Sequence, residues 1–191
     1  LRHGEPVGGR AFRGSRINDL LSEKGWLQMW DAVPAKIPWQ HIVTSPLTRC
    51  RAFAAALAEK HGLPLTVEED FREVGFGDWE GRTADEIIAD NAGEYAAFYR
   101  DPVKNRPPGA EPLDEFIDRV TRAYEGILQS NSAQSILVIA HAGVIRAIIT
   151  HSLGSPPVTM YRIRIETASF ARIRIHQYGP NLELLNGQIE S

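Results

Sequence analysis

Apolar residues along this chain follow two rhythms. Short β-branched runs, "HIVTS" at 41–45 and "SILVIA" at 135–140, read as buried strands, and each passes directly into a pattern of helical period. Two such strand-to-helix units predict an α/β fold with a mostly parallel sheet. After the first run, Ser45 is placed to cap and Pro46 to occupy the first position of a helix reaching about His61, where Gly62 stops it. Leu47, Cys50, Ala54, Leu57 and Ala58 share one face of that helix. After the second run, residues 143–153 are apolar on most sides, as a helix packed on a sheet would be, and Gly154 ends them.

The remaining periodic segments are amphipathic. Residues 113–129 put Leu113, Phe116, Ile117, Val120, Tyr124, Ile127 and Leu128 on one stripe, with Asp118, Arg119 and Glu125 on the opposite face. Ser22 is placed to cap a helix over about 23–33, and Thr83 with Glu86 forms a capping-box pattern for a short one. Residues 91–111 mix aromatics, charges and three prolines, which suits a lid over a site. Tyr95, Phe98 and Tyr99 are its candidate substrate contacts. "FARIRI" (170–175) and "LELLN" (182–186) flank a "YGPN" turn and predict a hairpin.

Composition narrows the class. With 191 residues, 43% apolar and 24% charged, the chain suits a single folded domain over 1–191. A net charge of -3 argues against a nucleic-acid surface, and the hydropathy pattern holds no run of membrane-spanning length. The single cysteine, Cys50, forms no internal disulfide and no Cys/His pair has zinc-site spacing, so no metal is expected and a reducing cytoplasm is the default location. Leu1 reads as the end of a strand whose earlier residues precede the sequence given.

Four pieces carry candidate chemistry: "RHG" at 2–4, "TSPLTR" at 44–49, "REVGFGDWEG" at 72–81 and "AHAGVIR" at 140–146. His3 and His141 each follow a strand-like residue, so both fall at the carboxyl edge of a parallel sheet, where such folds bind ligands. Arg2 and Arg49 supply planar forks for phosphate oxygens, and the amides around Ala142 and Gly143 add donors at a helix start. In such a pocket His3 is the candidate nucleophile and Glu73 the acid that protonates the leaving oxygen, later the base on water. His141 would stabilise charge on the equatorial oxygens as a cation or donor, a contribution of about 3 kcal/mol for one preorganised donor. Bland readings fit the rest: His61 as a cation near a helix C-terminus, Cys50 as inert core, Trp79 as packing under the Glu73 loop, Arg146 as a structural ion pair. His41, His151 and His176 receive no role.

In order and spacing, these four pieces resemble the histidine phosphatase superfamily, the phosphoglycerate mutase-like group, over residues 1 to about 153. The resemblance implies a three-layer α/β/α sandwich, no metal or other cofactor, and a phosphohistidine intermediate. Residue by residue it assigns His3 as nucleophile, Arg2 and Arg49 as phosphate clamp, Glu73 as proton donor and His141 as second histidine. "RHGEPVGGRAFRG" and "LSEKGW" resemble the α-ribazole phosphatase-like branch, in which Arg13 and Gly14 match a substrate-facing pair. Gly9 stands where many members carry asparagine, and "GAEP" at 109–112 where "GGES" is common. The implied activity is hydrolysis of a small phosphate ester, with α-ribazole 5'-phosphate as one substrate. Alternatives are a mutase-type phosphoryl transferase and a non-catalytic phosphate-binding module. No nucleic-acid or membrane partner is expected, and a homodimer is compatible with the sequence.

Overall fold

The computed structural model describes residues 1–130 and 135–189. Its elements are α1 (Glu23–Ala32), β1 (His41–Thr44), α2 (Thr48–His61), β2 (Leu65–Val67), α3 (Ala84–Arg100), α4 (Leu113–Ser130), β3 (Ile136–Ile139), α5 (Ala142–Ser152), β4 (Phe170–His176) and β5 (Gly179–Gly187). Three strands run parallel in the order β2-β1-β3, with Val43 opposite Thr66 on one side and Val138 on the other. The chain start continues this sheet. Arg2 bridges Ala140 in the parallel sense; His3 N–H donates to Ala140 O and Ala140 N–H to Leu1 O, each at 3.0 Å.

Alternation along the strands sends neighbouring side chains to opposite faces. Ile42, Leu137 and Ile139 pack with Met29 of α1 and Phe53 and Leu57 of α2. Val43 and Ala140 pack with Phe116 and Val120 of α4 and Val144 and Ile148 of α5. Helices thus cover both faces, which is the three-layer α/β/α sandwich. Ile42, Phe53, Leu57 and Phe116 are fully buried, each worth about 1.5–3 kcal/mol of apolar transfer. The expected hairpin is present as antiparallel β4 and β5. Among the described residues, no helix is long and apolar enough to cross a membrane.

Three local expectations are corrected. Helix α2 begins at Thr48 with Leu47 as its cap residue, so Pro46 stands ahead of the helix and Ser45 does not cap it. The Ser45 hydroxyl instead accepts from the Leu47 N–H ahead of the helix, at 3.3 Å, and meets a second partner described below. The capping box at Thr83 and Glu86 forms, yet α3 runs 17 residues to Arg100, with a kink at Asn91. Half of the expected lid is therefore helix, because its prolines all lie beyond Arg100, and fully buried Phe98 belongs to the core. Arg119 does not point to solvent with Asp118; it turns inward, donating to the carbonyls of Asp70 and Arg72 and pairing with Glu111 at 2.7 Å. Its long stem lets the guanidinium fold over the Phe116 ring, 4.7 Å from the centroid.

Candidate active site

Parallel pairing of Arg2 with Ala140 makes His3 and His141 the next residues on neighbouring strands, both at the carboxyl edge. Their rings meet edge to face, with centroids 5.2 Å apart. Each ring is buried, His141 completely. The Nδ1 of His3 lies 2.7 Å from Gly4 O. A carbonyl only accepts, so this nitrogen carries the proton and the neutral ring presents Nε2 as its lone pair. Burial, then the Arg49 and Arg2 charges, holds His3 well below the ordinary imidazole value. Burial, then Arg49 and His3, does the same to His141. Both rings are therefore neutral at physiological pH.

Arg2 and Arg49 are anchored by carbonyls, not carboxylates. Arg2 Nη1 donates to Ile165 O at 2.6 Å, while Arg49 donates from Nη1 to Ile17 O and from Nη2 to Gly14 O. The Nε–H of each is buried without a protein acceptor. Arg49 is 1% exposed, so its charge sits in a low-dielectric hollow uncompensated by an ion pair among the described residues. Unsatisfied cationic donors beside neutral imidazoles make a receptor for a small anion.

Glu73 closes this hollow. Its carboxylate accepts from Val74 N–H at 3.0 Å and Gly143 N–H at 3.2 Å, so the start of α5 holds it. A Cβ at Gly143 would meet Glu73 Oε1, so any larger residue there must displace the carboxyl group. Of the two amides expected to meet an anion, that of Gly143 is therefore taken by Glu73. The Ala142 N–H, first in its helix, has no intrahelical acceptor. Arg13 donates to Asp19 and to Val7 O, which ties it to its own loop within electrostatic reach of His3. Gly14 has φ 59°, and its carbonyl supports Arg49. Tyr95 stacks on Trp79, which is buried, and Tyr99 meets Tyr161 edge to face.

Four side chains near the site make contacts that the pattern analysis did not assign. Ser45 Oγ lies 2.6 Å from His141 Nε2, both fully buried. The clue was its place in "TSPLTR", but a cap was the locally sufficient explanation. Arg119 reaches the carbonyls of the Glu73 loop from the middle of an otherwise amphipathic helix. Arg146 forms no ion pair among the described residues; it donates from Nε to Ile163 O at 2.7 Å and lies over Tyr161. Cys50 Sγ sits 3.6 Å from His141 Nε2, and burial pushes its thiol up to about 12. Among the described residues, no group of three or more His, Cys, Asp or Glu could hold a metal ion.

Paired imidazoles, carboxylate-free arginines and an adjacent carboxyl group at a parallel-sheet edge define a phosphoryl-handling site. Comparison with known proteins gives the family. The sequence model of the histidine phosphatase superfamily (branch 1) matches residues 1–188. The adenosylcobalamin/α-ribazole phosphatase of Salmonella typhimurium is 27% identical over 191 residues, spanning 98% of this chain and 95% of that protein. Mycobacterial glucosyl-3-phosphoglycerate phosphatase superposes with a TM-score of 0.85 at 25% identity, covering 98% of this chain and 97% of that one. The chain belongs to the histidine phosphatase superfamily, branch 1, and is a phosphatase.

Proposed function

We propose that the protein hydrolyses phosphomonoesters of small metabolites by way of a phosphohistidine on His3, without a metal. The observation that carries this reading is the pair of buried Nε–H donors, on Arg2 and Arg49, flanking a histidine whose tautomer leaves Nε2 as a lone pair. In the first step Nε2 attacks phosphorus as the ester oxygen departs, and Glu73 hands that oxygen a proton. The dianion offsets the charge of Arg2 and Arg49, so His141 takes up a proton and donates to an equatorial oxygen. Ser45 follows the change, because its hydroxyl donates to a neutral Nε2 and accepts from a protonated one. In the second step Glu73, now a carboxylate, draws the proton from water, which displaces His3 and releases phosphate. Arg13 and the Ala142 amide complete the proposed binding set, and Gly14 acts through Arg49.

The names of related proteins supply two substrate types for trial, α-ribazole 5'-phosphate and a phosphoglycerate ester. The first experiment is simpler. Wild-type protein should hydrolyse p-nitrophenyl phosphate equally with and without EDTA, and acid-labile label from a radioactive ester should be trapped on quenching. His3→Ala should lose turnover by at least about a thousandfold and carry no label while keeping its circular dichroism. Turnover abolished by EDTA, or label persisting in His3→Ala, would overturn the mechanism.

A further inference from the structure

We propose that Glu80 is a positioning residue: its buried carboxylate sets the proposed phosphate clamp and the proposed proton donor against each other. This role rests on the phosphatase reading and adds to it a side chain that acts only through Arg49 and Glu73. Glu80 is 4% exposed and sits in the seam between two loops. On one side its Oε1 accepts from Phe76 N–H at 2.9 Å, three residues beyond Glu73. On the other it accepts from Ser15 N–H at 3.3 Å and, through Oε2, from Arg16 N–H at 3.1 Å. Those two amides lie between Gly14 and Ile17, whose carbonyls are the acceptors that anchor Arg49.

A carboxylate offers acceptors only, so it can face amides from both loops at once, and its charge makes each bond about twice as strong as a neutral one. A Cβ on Gly14 would overlap Glu80 Oε1, so the carboxylate lies directly against the turn that carries Arg49. Arg16 crosses the same seam, donating from Nε to Glu80 Oε2 and from Nη2 to Gly77 O. Other contacts join the loops independently. Phe12 N–H donates to Arg82 O and Gly81 N–H to Phe12 O, while the Phe12 ring meets Phe76 and Trp79 edge to face, 5.0 and 5.4 Å between centroids. With these in place, loss of the Glu80 carboxylate frees the register of the loops, not their association: where Arg49 meets phosphate and where Glu73 meets the leaving oxygen.

Glu80→Gln tests this, because its amide can turn an oxygen to one loop only and then faces the other with an N–H against an N–H. Two readouts should move together. Inorganic phosphate should bind the variant about tenfold more weakly by titration calorimetry, and the ratio of aryl to alkyl phosphate turnover should rise by about tenfold. In a Glu73→Gln background, adding Glu80→Gln should leave that ratio unchanged, since the acid through which Glu80 acts is already gone. A carboxylate serving the fold alone would lower the melting temperature and move neither readout. That result, movement of one readout without the other, or a ratio effect that adds in full to Glu73→Gln would overturn the role. Should Glu80→Gln fail to fold, Arg16→Ala decides: its side chain is 65% exposed, and its loss should shift both readouts the same way by about threefold, no shift counting equally against the proposal. A wild type inert toward both esters would instead defeat the phosphatase reading, while the phosphate titration, which needs no turnover, would still decide whether Glu80 acts on Arg49.

Discussion

His141 and Ser45 are both fully buried, and the 2.6 Å contact between them has no water to replace it if one partner is removed. A buried acceptor left unpaired costs about 1–3 kcal/mol, and here the cost falls on the ring that the proposed mechanism has donate in the transition state. Ser45→Ala should therefore lower the melting temperature by several degrees, slow phosphorylation of His3 by about tenfold or more, and displace the pH dependence of that step. Rapid-quench measurement across pH checks this. An unchanged pH profile would reduce the serine to packing. Cys50 makes the opposite case: its thiol, pushed up to about 12 by burial, stays protonated beside the same ring and supplies bulk, not charge.

At the scale of elements, the start of α5 and the loop before α3 are fitted to each other at one point, Gly143 against Glu73. Arg119 on α4 fastens the other end of that loop through the carbonyls of residues 70 and 72 and the Glu111 carboxylate. Gly143→Ala places a methyl group where Glu73 Oε1 lies and should push the carboxyl group out of reach of the leaving oxygen. The variant should behave like Glu73→Gln: alkyl phosphates slowed by about 10²–10⁴-fold, aryl phosphates, which leave unaided, far less. Equal slowing of both classes, measured on one alkyl and one aryl ester, would separate the carboxyl group from acid catalysis.

The whole molecule carries two neutral histidines in a cationic hollow, and its stability must depend on pH accordingly. Both folded-state values lie well below the ordinary 6.5, so on acidification the unfolded chain takes up protons that the folded protein refuses. Stability is then full above about pH 6.5 and falls below it, by up to about 1.4 kcal/mol per pH unit for each histidine. Inorganic phosphate binds only the folded state and supplies the missing counter-charge, so it should restore the melting temperature more at pH 5.5 than at pH 8. Differential scanning calorimetry at the two values checks the sign. A melting temperature flat between pH 8 and 5.5 would show that the rings titrate normally.

Much of this was legible along the chain. The β-branched runs, the Ser22 and Thr83 caps, the stop at Gly62 and the stripe over residues 113–129 are set by local geometry and periodicity, which a sequence states directly. The meeting of His3 and His141 was legible too, since a histidine at the end of a buried strand has one place to go in a parallel sheet. Tertiary structure decided what local rules leave degenerate: that Ser45 reaches a ring 96 positions away besides the Leu47 amide, and that Phe98 joins the core. It also turned Arg119 and Arg146 inward. Long cationic side chains sample many directions at little cost, so only the carbonyls, rings and charges assembled around them by folding fix where each guanidinium ends.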